Sequence, residues 1–508
     1  MILLIHPPVA KPSEPPLGLA RLAGALEAHD IPYGIIDANL EGLLFLLKQP
    51  LIIEDTWTKR AHRGLAKDLA YIREGGSYKS PDRYKSAVLN LNRLLAAASA
   101  NYNCLVSLAN YTDKELLPQK SRDLMAASDH YQENVFYPYF KARLEPAIRA
   151  LQPDYIGISV NFLNQALCVF ALAGFLRSVF PGIELIAGGS LISSWMSSPG
   201  WRNPFGGIFG HLIAGPGEEP LLSLLTGRTS DNGGRAEVYS PSFKKLPIKE
   251  YLAPGLILPY NTSSGCLWNR CSFCPEPAEK NRYKPLPVGI AHEQLGQLVK
   301  TTGASLIHLA DNAVSPAFMQ ALIRSPAGAP WYGFARFLEQ LADPGFCRQL
   351  KESGCVMLEL GLESGDPQVL AGINKGINLE MASLVLKNLR QAGIISYVYL
   401  LFGTPDEDYE KAQATLAYVA AHAHLIGYLN LSLFNMPVAC SLAEEYETTP
   451  FYRADLALYT DFVHPAGWGR EHVRRFLEYE FKKHPAIRPV VRRKPPVFTS
   501  NHAAFFMV

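Results

Sequence analysis

The chain has no excess of charge of either sign. Forty-eight Lys and Arg face 46 Asp and Glu, a formal net charge of +2 over 508 residues. That balance excludes the broad cationic field of a nucleic-acid binder, and the basic run "RRKPPV" reads as solvated surface. Long apolar runs are missing too: "ALCVFALAGFL" ends at Arg177, too short for a bilayer span. No leader pattern is evident, because Met1 leads straight into "ILLIH" without a charged stretch or a small-residue cleavage site. The expected location is therefore cytoplasmic. No internal repeat or low-complexity tract stands out. Cysteine is scarce, eight in all, and in a reducing compartment so few cysteines do not make a disulfide framework. What remains is a globular composition, 48% apolar, long enough for two or three domains.

The first half alternates strands with helices. "MILLIHPP", "IPYGIIDAN", "DYIGISV", "IELIAGGSL" and "FGHLIAG" read as strands. "PLGLARLAGALEAH", "NQALCVFALAGFLRSVFP" and "GEEPLLSLL" have helical spacing. Strands this continuously apolar belong to a parallel sheet covered on both faces. The rhythm fails over residues 43–134, which read as a helical insertion without strands. Ligands of such sheets sit beyond the carboxyl ends of the strands. Small or polar residues expected there are Asp37, Ser159, Asn161, Gly188, Gly189, Gly215 and Gly217, and each glycine alone could be an ordinary turn residue. Residues 1–228 form this domain. Residues 229–254, rich in Gly, Ser, Pro and charge, read as a linker.

The second half alternates again. "LPYNTSSG", "SLIHLAD", "WYGFARF", "VMLELGLESG", "ISYVYLLFGTP" and "YLNLSLFNMP" are strand candidates. "MASLVLKNLRQAG" and "KAQATLAYVAAHAHLI" are helices between them. About six βα units result, short of an eightfold barrel, over residues 255–445. In "GTPDED" Thr404 reads as a helix N-cap, Pro405 as its first turn and the acids as partners of its dipole. Lys375 reads as a solvated charge. Cys355 and Cys440 read as small buried apolar residues, with a redox role for Cys440 held open. Residues 446–508 form a carboxy-terminal extension. Its end, "PPVFTSNHAAFF", is either a lid over the open side of the barrel or a strand packed on the core.

Three of the eight cysteines fall within nine positions, in "GCLWNRCSFCPEP": Cys266, Cys271 and Cys274. Thiolates this close need a cation. Zinc wants four ligands, yet no second CxxC exists, and His292 and His308 have no companion at ligand spacing. An iron-sulfur cluster also wants four ligands, so three cysteines would leave one metal position for substrate. Gly265 lets the backbone approach, Trp268 and Phe273 can screen a cluster from water, and Pro275 stiffens the exit.

A cysteine trio after the first strand of a partial (β/α)6 barrel resembles the radical S-adenosylmethionine (SAM) superfamily. The family pattern is CxxxCxxC, whereas four residues separate Cys266 from Cys271 here. The resemblance implies a TIM-type partial barrel and a [4Fe-4S] cluster on Cys266, Cys271 and Cys274. "LELGLESGDPQVLAGINKG" resembles the family's fourth-strand segment, placing Glu363 and Ser364 at the ribose, with Glu359 as the alternative acid. "QAGIISYVYLLFGTPDED" resembles the fifth-strand segment, placing Phe402 near adenine. "HLADNAVS" implies methionyl-amine contacts from Asp311 and Asn312, and Arg336 would face the methionyl carboxylate. Phe273 matches the aromatic residue common before the last cysteine.

The first half, through "HPP", "PPLGLARLAGALEAH", "DYIGISV", "IAGGS" and "GPGEEPLLSLL", resembles the Rossmann-like, doubly wound cobalamin domain found before many radical SAM barrels. That implies cobalamin at Ser159, Asn161, Gly188, Gly189, Gly215 and Gly217. The DxHxxG motif that supplies a histidine to cobalt in other cobalamin domains is absent, and His6 and His29 lie in another context. The radical-enzyme subgroup lacks the motif as well.

By resemblance, one electron from the cluster cleaves SAM to a 5′-deoxyadenosyl radical, which takes hydrogen from an unactivated carbon. Methylcobalamin then supplies a methyl group, and a second SAM restores it. The implied partners are an electron donor such as flavodoxin or ferredoxin and a small-molecule or peptide substrate: a natural-product scaffold, lipid, tetrapyrrole or peptide. No general base is identifiable. Rearrangement, methylthiolation or cyclisation without methylcobalamin, a cobalamin or iron-sulfur sensor, and a zinc-stabilised module are the competing readings.

Overall fold

Two parallel sheets, joined in sequence, organise the chain. The computed structural model describes residues 1–51, 55–227, 237–493 and 502–506. The first sheet holds β1 (Ile2–His6), β2 (Tyr33–Asp37), β3 (Tyr155–Ser159), β4 (Glu184–Gly188) and β5 (His211–Ile213). Their spatial order is β2-β1-β3-β4-β5, all parallel. The order reverses between β1 and β3, which marks the crevice where such sheets bind ligands. Ile2 and Leu4 pack on one face, Leu3 and Ile5 on the other, as two-sided burial requires. The run "ALCVFALAGFL" lies in the helix Leu163–Val179, which is buried nearly all round. No helix among the described residues is long and apolar enough to cross a membrane.

Between β2 and β3 lie the helices Ala38–Leu47, Thr56–Arg73, Pro81–Ala98 and Ser121–Asp129. The region is not strandless: Cys104–Val106 and Tyr111–Asp113 pair as an antiparallel hairpin. Strands of three residues are too short to show a period of two in the sequence.

The linker reading also needs correction. From residue 237 onward the segment is strapped to the first domain. Ser242 N donates to Ala20 O at 2.8 Å, Lys244 Nζ to Glu27 at 2.8 Å, and Tyr251 Oη to Asp37 Oδ2 at 2.7 Å. Lys244 and Tyr251 thus dock the described part of the segment onto the first domain.

The second sheet is β6 (Ile257–Tyr260), β7 (Leu306–Leu309), β8 (Trp331–Ala335), β9 (Cys355–Glu363), β10 (Ile395–Phe402) and β11 (Tyr428–Leu433). The six strands lie in chain order and are all parallel. Outward-facing Leu358, Leu360, Val398 and Leu400 meet the surrounding helices in one core. The helix after β10 starts at Tyr409 rather than in "GTPDED", and its cap is Asp408, which accepts from Lys411 N at 2.9 Å. Thr404 instead closes a turn, its carbonyl accepting from Glu407 N at 2.9 Å.

Residues 494–501 and 507–508 of the tail lie outside the described residues. Its described piece, His502–Phe506, is neither lid nor strand but a short helical plug. Ala503 and Phe506 pack with Ile257, Leu306, Met357 and Tyr428 at the amino-terminal ends of the barrel strands. Phe505 meets Tyr78 and Tyr84 of the insertion, with ring centroids 4.9 and 5.0 Å apart. The plug closes the end opposite the cysteine loop.

Candidate functional site

The cysteine loop begins directly after β6, and its base is fastened twice. A two-residue ladder pairs Ser263 and Ser264 with Pro285 and Lys284. The buried carboxylate of Asp311, beyond β7, accepts from Thr262 N (3.0 Å), Thr262 Oγ1 (2.9 Å) and Ser263 Oγ (2.6 Å). These bonds fix Thr262 and Ser263, the residues that lead into the loop. They also correct one expectation: Asp311 is committed to holding the loop, which leaves it poorly placed to hold an amine. Asn312 beside it is exposed and close to Glu276.

The loop's far side is gripped by the segment after β9, "GINKG". Ile373 O accepts from Ser272 N at 3.2 Å, and Asn374 O accepts from Trp268 Nε1 at 2.8 Å. Gly376 has φ +65° and lies against the Trp268 ring, where a Cβ would come within 2.4 Å of it. Only glycine fits both the backbone angle and the space. Lys375 is buried, and its Nζ bonds Glu363 Oε1 at 2.7 Å and lies 5.5 Å from the Phe273 ring centroid. Arg336, after β8, donates to the Lys375 carbonyl and stacks 4.3 Å from the Trp268 ring centroid. Lys375 is thus no solvated charge. Two glycines flanking a lysine were the signal available in the sequence.

Glu363 sits at φ +68°, where the pairing of β9 with β10 slips by one residue. A side chain held in left-handed backbone is costly and persists only where its surroundings fix it, here the bond to Lys375. The neighbouring Ser364 turns the other way. Its buried hydroxyl bonds Thr415 Oγ1 at 3.0 Å and accepts from Asp366 N at 3.1 Å, so it braces the turn instead of reaching a ribose. Phe402 is corrected likewise: its ring packs outward on Phe476 and Phe481, with centroids 6.1 and 5.3 Å away. Strand alternation places it on the helix-facing side of β10. Phe273, Arg336 and Glu363 are brought together beside Cys271; Ser364 and Phe402 are not.

All the cysteines are free thiols. Burial raises Cys271, while Lys375 and Arg336 pull it back. Burial pushes Cys274 up to about 12, and the charges of Cys271 and Cys266 add to the rise. The three sulfurs thus feel one another, though no three His, Cys, Asp or Glu side chains among the described residues form a closed metal-ligand set. The loop also buries Asn269 Oδ1, Ser272 Oγ and Glu276 Oε2 without hydrogen-bond partners among the described residues. Three half-buried or buried thiols on one loop, with orphaned polar atoms around them, suit a thiolate-bound metal cluster in their chemistry: metal binding removes the protons that burial retains.

On the other side stands the crevice of the first sheet. Ser159, Asn161, Gly188, Gly189, Gly215 and Gly217 all line one cavity of about 190 Å³. Gly189 has φ +107°, and a Cβ there would lie 2.5 Å from Val160 O. Asn161 ties the rim, its Nδ2 donating to Ser159 Oγ at 3.1 Å and its Oδ1 accepting from Ser190 N at 3.2 Å. Gly189, Gly215 and Arg21 also line a second cleft of about 650 Å³, which runs to Gly265, Pro275 and Glu276 of the cysteine loop. Tyr459, from the carboxy-terminal extension, forms part of its wall. Sequence reasoning missed this wall and the serines of the helix Ser190–Ser197, which line the cleft at Ser190, Ser193, Ser194 and Ser197.

Residues 260–419 match the model of the Radical SAM superfamily. An uncharacterized methyltransferase of Pyrococcus horikoshii is 28% identical over 195 residues, 36% of this chain and 41% of that protein. The bacteriochlorophyllide d C-12(1)-methyltransferase of Chlorobaculum tepidum is 28% identical over 176 residues, 32% of this chain and 37% of that protein. The chain thus covers about two fifths of these relatives' length. The structure of the radical SAM methyltransferase TsrM from Kitasatospora setae, with cobalamin and a [4Fe-4S] cluster bound, superposes with a TM-score of 0.51 at 17% identity. It covers 87% of this chain and 78% of TsrM. The six-stranded half is thus similar to the Radical SAM superfamily over residues 260–419, and together with the amino-terminal sheet domain it shares the fold of TsrM.

Proposed function

We propose that the protein is a cobalamin-dependent radical SAM methyltransferase acting on an unactivated carbon of a small-molecule or peptide substrate. The observation that carries the reading is the clamped loop of Cys266, Cys271 and Cys274, facing the glycine-lined crevice across a cleft of about 650 Å³. Bound together, a [4Fe-4S] cluster, SAM and cobalamin supply reductive cleavage of SAM, hydrogen abstraction and a methyl donor.

The chain's own residues hold and order these groups. Cys266, Cys271 and Cys274 would ligate the cluster, and Trp268 and Phe273 keep water from it. Arg336 and the Lys375–Glu363 pair place charge beside the sulfurs, where a SAM carboxylate, amine or ribose would lie. Asn312 remains available at the rim, whereas Asp311 and Ser364 act by positioning. Ser159, Asn161, Gly188, Gly189, Gly215 and Gly217 would receive cobalamin in the crevice. The electron donor would be a flavodoxin or ferredoxin.

The test is anaerobic reconstitution with iron, sulfide and hydroxocobalamin. Expected are about four irons per chain, as a [4Fe-4S] cluster requires, a corrinoid spectrum, and dithionite-dependent 5′-deoxyadenosine from SAM. Iron without corrinoid would sink the cobalamin half of the reading, and no iron would sink all of it.

A further inference from the structure

The barrel interior holds a buried polar group that the proposed function does not employ; Glu359, the alternative ribose acid of the sequence reading, belongs to it. It joins four residues from three places. Lys11 and Glu14 come from the loop after β1 of the first sheet, His308 from β7 and Glu359 from β9. Glu14 Oε2 lies 2.9 Å from His308 Nδ1, and the imidazole stacks on Tyr332 with centroids 4.6 Å apart and planes 5° apart. A loop of the sheet domain therefore reaches inside the barrel. Glu359 lies between Leu358 and Leu360, both on the helix-facing side, so it points inward, where Tyr399 Oη donates to its Oε1 at 3.4 Å.

Glu359 is 0% exposed, yet its Oε2 has no hydrogen-bond partner among the described residues. An orphaned, fully buried carboxyl oxygen is costly and calls for an explanation. The next inward position on β9 is Gly361. A Cβ there would lie 2.5 Å from Glu363 Oε1 and 2.7 Å from Lys375 Nζ. The Glu363–Lys375 ion pair therefore occupies the space that a side chain at position 361 would take, one inward position along β9 from Glu359.

We propose that Lys11, Glu14, His308 and Glu359 form the polar floor of the substrate pocket, and that this floor takes a carbonyl or carboxylate oxygen of the substrate. The proposal rests on the radical SAM reading, which places the substrate inside the barrel mouth. Burial pushes the Glu359 carboxyl up to about 8, against the pull of His308 and Lys11. Near neutral pH it is a hydrogen-bond donor lacking an acceptor, as a carboxylic acid in an apolar site can be. Lys11, though shifted down by burial, adds a positive field. Tyr332, Phe334 and Tyr399 supply aromatic walls, with Phe334 and Tyr399 5.1 Å apart. The expected occupant is a flat, largely apolar body ending in an oxygen acceptor.

The test uses sodium benzoate as the probe and the ¹³C resonance of His308, in histidine-labelled full-length protein, as the reporter. His308→Gln assigns the signal. Benzoate is expected to shift it saturably, and benzylamine is not. Glu359→Gln retains a donor and should bind benzoate within about threefold of the unmodified protein. Glu359→Leu, of similar size without a donor, should weaken binding on the order of tenfold. If the Leu variant does not fold, Lys11→Met replaces it, with a several-fold loss expected. The proposal is overturned if benzoate leaves His308 unmoved, if the Leu or Met variant binds as well as the unmodified protein, or if benzylamine binds and the Gln variant loses it. No iron is needed for this measurement, so its failure and failure of the radical SAM reading can be told apart.

Discussion

In the first sheet the cavity exists because side chains are missing: Gly188, Gly189, Gly215 and Gly217 expose backbone along its wall. At the barrel mouth the reverse holds. The cysteine loop stays in place because Asp311, Arg336, Asn374 and Lys375 grip it from the segments after β7, β8 and β9, one to three strands further round the barrel. A crevice made of absences is a property of local backbone and needs little from afar. A loop held by distant side chains stands or falls with the barrel. The comparison teaches that the two regions should fail separately when their own devices are broken.

The largest effect is expected from the sulfurs. Replacing Cys271 by Ala should lower the iron held after anaerobic reconstitution by about tenfold or more, since the proposed cluster would have the three thiolates as its protein ligands. Corrinoid uptake should survive, because the crevice shares no residue with the trio. Iron analysis and the visible corrinoid spectrum of one sample decide it. Loss of both would mean that the regions are one cooperative unit.

Two glycines sharpen the separation. Gly189→Ala forces a side chain at φ +107° and sets a Cβ 2.5 Å from Val160 O. A non-glycine residue in such backbone costs about 1–3 kcal/mol. Corrinoid binding should weaken several-fold while iron content is kept. Gly376→Ala does the opposite: at φ +65° its Cβ collides with Trp268. Iron should then be held less tightly, with corrinoid binding unchanged. Parallel titrations of both variants test the crossed pattern, and a shared loss would refute it.

Breaking the ion pair comes next. The Lys375 and Glu363 side chains are each only 11% exposed. Removing one partner of such a pair strands a buried charge, at a cost of about 3–5 kcal/mol. Lys375→Met should lower the thermal midpoint of the barrel, and the double variant with Glu363→Leu should recover most of the loss. If the double variant is as unstable as the single one, the pair is not what holds the loop.

The same contrast explains what could be read from the sequence. The two parallel sheets were legible because their longer strands, such as Ile2–His6 and Ile395–Phe402, are predominantly apolar. The crevice was legible as a set, since glycines at strand ends mark it whatever packs elsewhere. The cysteines were legible through spacing alone. The clamp was not. The glycines around Lys375 mark a tight segment but do not announce that Glu363, Phe273 and Arg336 surround it, because those contacts join three different βα units. Ser364, Phe402 and Asp311 lie on the right segments, but which way each side chain turns depends on strand parity, the slip after Gly361 and bonds to Thr415 or Thr262. The plug His502–Phe506 was hidden for another reason: its partners Tyr78, Tyr84 and Tyr428 come from both domains.

The smallest expected effect lies at the edge of the barrel, where β10 meets the carboxy-terminal extension. Glu407 is buried; its Oε2 accepts from Trp468 Nε1 at 2.9 Å and from Gly403 N, while its Oε1 has no partner among the described residues. Burial raises its carboxyl to about 7, and the two donors only partly offset the rise. The folded protein therefore binds this proton more tightly than the unfolded chain does. Stability associated with the group is at its full value below the ordinary carboxyl range near 4.5 and declines as pH rises through about 7. Glu407→Gln keeps a carbonyl acceptor for both donors and cannot ionise, so its melting temperature should fall less than that of the unmodified protein between pH 5 and 8. Thermal scans across that range measure the difference. Equal slopes would show that the acid does not change its charge across this range.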